Sequence, residues 1–231
     1  MIQPVDYNKH FVIGTPLVGW KCDRNEHMTW LKHREEIQQR FPNVTFFAAL
    51  ELDNRGLDPF QKIIDAVQVY WTYTINDYEA TVTSENRWIR IETGRNLVRE
   101  YAQRGTFDAV LYVDSDINLT VEMIEKMFEV DHPLVGINVP EYVQHGPVVN
   151  EQPRIEEHWT TAGMLLVNAP AYYELPWSHN RNLQLSDDPT FQRLSEQIGY
   201  GNTWVRKDLN AHHEGLLCAV ENRNIPDRPL L

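Results

Sequence analysis

The sequence has few cysteines and a shortage of basic residues, and each shortage excludes a class of protein. Only Cys22 and Cys218 are present among 231 residues, too few for the disulfide framework of a small secreted domain, which fits a reducing compartment. Lysine and arginine number 21 against 33 aspartates and glutamates, for a net charge of −12. General electrostatic attraction to nucleic acid or anionic lipid is therefore not expected, although a local basic groove remains compatible with this charge.

Long apolar runs are also missing. No stretch approaches the ~18 apolar residues that a membrane-spanning helix needs, and the N-terminal MIQPVDYNKH has no apolar core of a signal peptide. We therefore expect a cytoplasmic protein without membrane insertion. Because 42% of the residues are hydrophobic, the chain can bury a substantial core, and its length suits a single domain.

Strand and helix signals alternate along most of the chain. This alternation implies a parallel sheet covered by helices on both faces, so we predict an α/β fold with a mostly parallel central sheet. In such sheets, ligands bind beyond the carboxyl ends of the strands. Strands are predicted in HFVIGTPLVG, at 44–50 (VTFFAAL), 109–113 (AVLYV) and 160–168 (TTAGMLLVN), and helices from Asp23 to about Phe41, from Pro59 through Tyr70, over 86–104 and over 187–199.

The strand AVLYV ends in Asp114, Ser115 and Asp116, at the expected mouth of a site. Side chains two residues apart on a strand share a face, so both carboxylates can converge on one cation. Such hard oxygen ligands suit Mg²⁺ or Mn²⁺, and an ion held there could neutralise a diphosphate leaving group. An ordinary polar turn is the alternative, because Asp and Ser are common where a strand ends.

The same stretch also has the ligand spacing of a calcium loop, which leaves a non-catalytic calcium-binding protein as an alternative. Leu119 stands where the sharp turn of an EF-hand needs glycine, and AVLYV is strand-like where an EF-hand needs a helix. The residues at loop positions 1, 3, 5, 7, 9 and 12 would be Asp114, Asp116, Asn118, Thr120, Glu122 and Glu125.

In their order and spacing, the landmarks of this chain resemble those of GT-A nucleotide-sugar-dependent glycosyltransferases. The resemblance covers about residues 10–215 and rests on TPLVG, GRNLVREYA, VDSD, LVGINVPEY, TTAGMLLVN, SDDPTF and HHEG, in that order. It implies one Rossmann-like GT-A domain over residues 1–231. The donor-binding half would cover about 10–118, the acceptor and catalytic half about 119–215, and a tail 216–231.

The resemblance implies a metal site and a catalytic base. The D-x-D aspartates of this family bind the metal and the donor diphosphate, which implies Asp114 and Asp116 with Mn²⁺ or Mg²⁺. A later histidine in an H-x-G context implies His213 as a third ligand, although His212 beside it is a second candidate. The acidic pair Asp187 and Asp188 resembles the pair that supplies the base in inverting members, with Asp188 the better match. One of these acids, or Ser186, could instead cap the helix that follows.

Further residues are candidates for binding the donor and the acceptor. Four aromatic residues (Trp159, Trp177, Tyr142 and Trp204) could form an apolar platform for a sugar or base, although such residues are more often packed in a core or at its edge. The acceptor-side residues would be Gly163 and Trp159. The donor-side residues would be Thr15, Pro16, Asp53 or Glu51, Arg87, Arg90, Arg95, Asn96, Asp114 and Ser115.

The function that the resemblance implies is metal-dependent transfer of a hexosyl or pentosyl group from a UDP- or GDP-linked sugar to an acceptor hydroxyl. The acceptor could be a glycan, a small molecule, a protein or a hydroxymethylated base in DNA. Nucleotidyl transfer by a related fold is the other alternative, with a nucleoside triphosphate and a sugar phosphate as substrates. That reaction calls for a glycine-rich basic loop after the first strand, and GTPLVGWK is a poor one.

Overall fold

A computed structural model describes residues 2–18, 25–51, 61–64, 67–71, 84–138, 155–157, 163–178, 187–201 and 203–211. The described strands form one sheet in the order β3-β2-β1-β4-β7-β5-β8-β6. Their bounds are β1 Phe11–Val18, β2 Val44–Glu51, β3 Gln68–Trp71, β4 Ala109–Val113, β5 Leu134–Asn138, β6 Ile155–Glu157, β7 Met164–Asn168 and β8 Trp204–Asn210.

Most of these strands run in the same direction. β3, β2, β1 and β4 form a parallel block, and β5 pairs with β8 in parallel. β7 runs antiparallel between β4 and β5, and β6 runs antiparallel to β8. The predicted α/β class with a mostly parallel sheet is therefore confirmed.

Helices cover both faces of the sheet, as predicted. Successive side chains of β1 enter opposite layers: Phe11 and Ile13 join one core, and Val12 joins the other. The first core contains residues of a 3-10 helix, α1, α2 and α4, and the second contains residues of α3, α5 and α6. The bounds are Asn25–Leu31 for the 3-10 helix, α1 Arg34–Arg40, α2 Gln61–Ile64, α3 Ser84–Gly105, α4 Val121–Phe128, α5 Ala171–Glu174 and α6 Asp187–Ile198.

Two of the predicted helices differ from the structure. The helix predicted from Asp23 to Phe41 is divided into the 3-10 helix and α1. Tertiary contacts hold the first of these, because Trp30 is buried and the hydroxyl of the buried Thr29 donates to the carbonyl of Ser115 at 3.4 Å. The helix predicted through Tyr70 ends at Ile64 in the described residues, and Tyr70 lies in β3. The sequence of β3, QVYW, is rich in residues that favour strands, and its backbone pairs with β2.

No helix within the described ranges is both long and apolar enough to cross a membrane. The longest of them, α3, has 22 residues and carries charged side chains along its length. The structure therefore reveals no membrane-spanning helix in the part of the chain that it describes.

Candidate functional site at the end of strand β4

The loop after β4 alternates between buried and partly exposed side chains. Ser115, Ile117 and Leu119 are buried and anchor the loop from beneath. The backbone is held at the start of the loop, where the N–H of Asp114 donates to the carbonyl of Gly163 at 2.8 Å. The side chains between the buried anchors are partly exposed and all carry oxygen: Asp114, Asp116, Asn118 and Thr120.

The calcium-loop interpretation is wrong for this segment. A strand, β4, enters the loop where an EF-hand has a helix. Thr120 caps α4, because its hydroxyl accepts a hydrogen bond from the N–H of Met123 at 3.3 Å. Glu125, which would be the bidentate calcium ligand, accepts a hydrogen bond from Nε of Arg40 at 2.6 Å.

The chemistry of the loop suits a hard divalent cation. Asp114 and Asp116 offer carboxylate oxygens. The buried Oδ1 of Asn118 has no hydrogen-bond partner among the described residues, so it is a further candidate oxygen ligand. Among the described residues, no group of three or more His, Cys, Asp or Glu side chains could hold a metal. His212 and His213 lie outside those residues, so the third ligand stays a prediction.

Strand β1 supports the end of β4 through a side chain. Backbone pairing between β1 and β4 extends as far as Gly14 and Tyr112. One residue further on, the buried hydroxyl of Thr15 donates to the carbonyl of Val113 at 2.9 Å. Pro16, which has no N–H, follows where pairing with β4 has ended. Thr15 therefore holds the residue that precedes Asp114, and contact of Thr15 and Pro16 with a donor stays a prediction.

Two glycines allow α3 to pack directly on β1. A Cβ built at Gly94 would lie 2.5 Å from Cβ of Pro16, and one built at Gly14 would overlap the side chain of Val98. Neither position has room for a side chain unless its neighbour moves. This close approach brings the residue after Gly94, which is Arg95, to the end of β4.

Arg95 is a buried cation beside Asp114. The residue is only 4% exposed, and its Nη2 lies 3.7 Å from Oδ1 of Asp114, whose side chain is 29% exposed. The guanidinium carbon lies 4.6 Å from the ring centroid of Trp177. A buried charge is tolerated when a carboxylate and an aromatic ring compensate it, and both are present here.

Trp177 packs in the core, so the hypothesis that it forms an exposed platform is wrong. Its indole stacks on Phe191 of α6, with centroids 4.0 Å apart and planes at 15°, and meets Tyr112 edge-on at 5.0 Å. Burial raises the pKa of Tyr112, against smaller opposing effects of Trp177, Arg99 and Arg95. Trp204 is half-buried and stacks on His132 at 4.9 Å.

Asn96 has a structural use that the sequence did not reveal. Its Nδ2 donates to the carbonyl of Trp177 at 2.8 Å, and its Oδ1 accepts from the N–H of Trp177 at 3.0 Å. The two neighbouring residues therefore make different contacts. Arg95 faces Asp114, and Asn96 holds the backbone of Trp177. Contact of Asn96 with a donor stays a prediction.

The predicted base residues, Asp187 and Asp188, begin α6, a helix tied to the segment before β8. The side-chain amide of Gln192 donates from Nε2 to the hydroxyl of Thr203 at 2.5 Å. Its Oε1 accepts from the backbone N–H of Thr203 at 3.1 Å. Ser195 donates to the carbonyl of Gly201 at 2.7 Å. The side chains of Asp187 and Asp188 themselves lie outside the described part, so the assignment of a base stays a prediction.

Several predicted site residues, or their side chains, fall outside the described part of the chain. Arg87 and Arg90 fall in the first two turns of α3 and Glu51 ends β2, but their side chains are not among those described. Asp53, Tyr142, Trp159, His212 and His213 lie outside the described residues altogether.

Comparison with known proteins identifies the fold. No protein-family model matches the chain, and no curated protein matches it in sequence. Among solved structures, S. aureus TarS (residues 1–349) superposes with a TM-score of 0.54 at 12% identity, covering 94% of this chain and 66% of that one. This chain thus spans slightly less than two thirds of the TarS structure.

Two further solved structures show a weaker likeness. A Bacillus anthracis structure described as a glucose-1-phosphate thymidylyltransferase gives a TM-score of 0.46 at 9% identity, covering 95% of this chain and 97% of that one. The glycosyltransferase GlyE of Streptococcus pneumoniae gives 0.41 at 13% identity, covering 87% and 46%. With the sheet described above, the TarS likeness shows that this chain has a GT-A-like α/β fold.

Proposed function

We propose that this protein is a glycosyltransferase that moves a sugar from a UDP- or GDP-linked donor to an acceptor hydroxyl. The observation that carries the proposal is the end of β4, where the partly exposed Asp114 lies 3.7 Å from the buried guanidinium of Arg95. A carboxylate loop with a fixed cation at the carboxyl edge of the sheet suits a phosphorylated ligand. The GT-A-like fold supports the same interpretation.

Asp114 and Asp116 would hold Mn²⁺ or Mg²⁺, with His213 or His212 as a third ligand. A bound divalent ion would supply positive charge for the departing diphosphate. The buried Oδ1 of Asn118 in the same loop, which has no hydrogen-bond partner in the part of the chain that the structure describes, supports a cation-binding role for this segment.

The chain's own residues would bind and orient the donor. Arg95 would offer a fixed positive charge to the diphosphate, and a charge already oriented before the reaction costs little reorganisation. Arg87 and Arg90, on the same helix, would add to it. Thr15, Pro16, Ser115 and Asp53 or Glu51 would line the remainder of the donor half, residues 10–118.

The acceptor would bind on the side of Gly163 and Trp159, within residues 119–215. Asp188, or its neighbour Asp187, would take the proton of the acceptor hydroxyl as that oxygen attacks C1 of the sugar. A single displacement with inversion follows from such a base. The proposal is supported by α6, because Phe191, one turn after these acids, stacks on the Trp177 ring that contacts Arg95.

The test is a screen of nucleotide sugars for slow hydrolysis without acceptor, with Mn²⁺ or Mg²⁺ present and then removed by chelation. We expect release of UDP or GDP that depends on the metal and is lost in Asp116→Asn. Asp131→Asn is the matched control, since Asp131 is exposed and precedes β5 at the opposite edge of the sheet. Full turnover in Asp116→Asn would contradict the metal assignment.

A parallel assay separates the alternative of nucleotidyl transfer. The protein is given a nucleoside triphosphate and a sugar 1-phosphate, and pyrophosphate release is measured. Pyrophosphate release without hydrolysis of any nucleotide sugar would replace the proposed function by nucleotidyl transfer. Acceptor screening with glycans, small molecules, proteins and hydroxymethylated DNA then follows with the donor that is hydrolysed.

A further inference from the structure

We infer that Trp177 is a positioning residue that orients Arg95 toward the donor diphosphate, and that Asn96 holds Trp177 in place. The inference rests on the proposed function, because it assigns to Arg95 a diphosphate ligand. It goes beyond that function by giving Trp177 and Asn96 a task that requires no contact with the donor. The supporting contacts all lie within the described part of the chain.

The first step is a row of polar side chains along one face of α3. Asn96, Arg99 and Gln103 are spaced three and four residues apart and so lie on the same side of the helix. Each donates to a backbone carbonyl in the segment 172–177: Asn96 to Trp177, Arg99 to Tyr172 at 3.0 Å and Gln103 to Tyr173 at 3.0 Å. Asn96 also accepts from the N–H of Trp177, which fixes that residue at two points.

The second step is the enclosure of the Trp177 ring. Phe191 stacks on the indole at 4.0 Å and Tyr112 contacts it edge-on at 5.0 Å. With its backbone fixed by Asn96 and its ring packed against two other aromatic residues, Trp177 has little freedom to move. It therefore presents a fixed surface to Arg95.

The third step concerns the orientation of the guanidinium. The Asp114 contact, at 3.7 Å, is longer than a hydrogen bond and does not by itself fix a planar group. The indole, with the guanidinium carbon 4.6 Å from its centroid, limits the planes that the group can adopt. A guanidinium recognises phosphate through two parallel N–H groups, so its orientation governs the strength of that recognition.

The first experiment measures the position of Arg95 without any substrate. In protein labelled with ¹⁵N-arginine, the Nε–H signal of Arg95, assigned by its loss in Arg95→Lys, should be shifted by the ring current of Trp177. The shift should disappear in Trp177→Leu and diminish in Asn96→Ala, and should persist in Gln103→Ala. An unshifted signal in the wild-type protein would overturn the inference.

The second experiment measures the affinity for UDP and GDP in the presence of Mg²⁺ by calorimetry. Trp177→Leu and Asn96→Ala should weaken binding about tenfold, the scale of one well-placed charged contact. Gln103→Ala is the matched control, because it removes a bond of the same kind from the same helix to the same segment, two turns from Arg95. Equal losses in all three variants would mean a general effect on folding and would contradict the inference.

A double-mutant cycle separates positioning from stability. In an Arg95→Ala background, Trp177→Leu should cost no further nucleotide affinity, while its effect on thermal unfolding should remain. A loss of affinity that persists without Arg95 would overturn the inference. If Trp177→Leu does not fold, Trp177→Phe and Asn96→Ala replace it in the same cycle.

The outcomes distinguish this inference from the proposed function. If the wild-type protein binds neither UDP nor GDP, the diphosphate assignment and the proposed function both fail, whereas the ring-current measurement still decides whether Trp177 orients Arg95. If nucleotide binds and Trp177→Leu leaves its affinity unchanged, the inference fails and the proposed function stands.

Discussion

Gly94 of α3 packs directly on Pro16 of β1. A Cβ added at Gly94 would lie only 2.5 Å from Cβ of Pro16. The contact sets the distance between the helix that carries Arg95 and the strand beside β4. Replacement of a glycine by alanine inside a helix ordinarily stabilises it by up to ~1 kcal/mol. At position 94 the overlap of the alanine Cβ with Pro16 opposes that gain in stability.

Gly94→Ala should therefore destabilise the protein by about 1–3 kcal/mol, the usual range for an overpacked core. It should also weaken UDP or GDP binding, since Arg95 follows directly in the chain. Chemical unfolding and calorimetry measure the two effects. A more stable Gly94→Ala variant would show that α3 and β1 separate at no cost.

Thr15→Val should expose the role of the hydroxyl that supports β4. The substitution leaves the buried carbonyl of Val113 without its 2.9 Å hydrogen bond, at a cost of about 1–3 kcal/mol in the free energy of unfolding. Thr15→Ser keeps the hydroxyl and should retain most of this stability. If Thr15 also contacts a donor, Thr15→Val will raise the KM for the nucleotide sugar, and an unchanged KM will limit Thr15 to its structural role.

Gln192→Met should loosen α6 from the segment before β8. Both hydrogen bonds to Thr203 are lost while the volume of the side chain is nearly kept, so we expect a loss of about 2 kcal/mol in the free energy of unfolding. Because α6 begins with Asp187 and Asp188, kcat should fall more than donor affinity. Glu196→Gln, an exposed change one turn further along the helix, serves as the control for both measurements.

Tyr172→Phe should change how stability depends on alkaline pH. Burial, with smaller effects of Tyr173, Asp108 and Tyr112, raises the pKa of Tyr172 above its ordinary value of 10.0, so above pH 10 the unfolded chain loses this proton while the folded chain keeps it. The stability that the phenol contributes is present below pH 10 and decreases above it. Tyr172→Phe should be less stable than wild type at pH 8, because the carbonyl of Phe107 loses its donor.

Between pH 10 and 11 the decline in stability should be shallower in Tyr172→Phe than in the wild-type protein. Urea unfolding at intervals from pH 8 to 11 measures both slopes. Parallel slopes would mean that Tyr172 titrates alike in the folded and unfolded chains.

The central strands were predictable because their sequences leave little choice. AVLYV is apolar throughout, and each of its residues is buried in β4, as expected for a strand covered on both faces. Strands β6 and β8 escaped prediction because their sequences, IEE and WVRKDLN, contain several charged residues and no alternating apolar pattern. Neighbours in the sheet, rather than local preference, make them strands.

The site was predictable to the same extent as its strand. Asp114 and Asp116 could be placed at the carboxyl edge because the strand before them was clear. The link between Asn96 and Trp177 could not be foreseen, since 81 residues separate them and no local pattern records so distant a contact. For the same reason, the sequence did not predict that Trp177 is buried or that its ring contacts the guanidinium of Arg95.

The reversed direction of β7 has a consequence for how such a site can diversify. Because β7 runs antiparallel to β4, its first residues lie beside the last residues of β4, and Gly163 meets Asp114 there. The chain therefore enters β7 at the edge of the sheet where Asp114 and Asp116 lie. The side chains of the segment that leads into β7 belong to none of the pairs among β3, β2, β1 and β4, so the acceptor preference proposed for this side can change without altering the strand pairing of the proposed donor half.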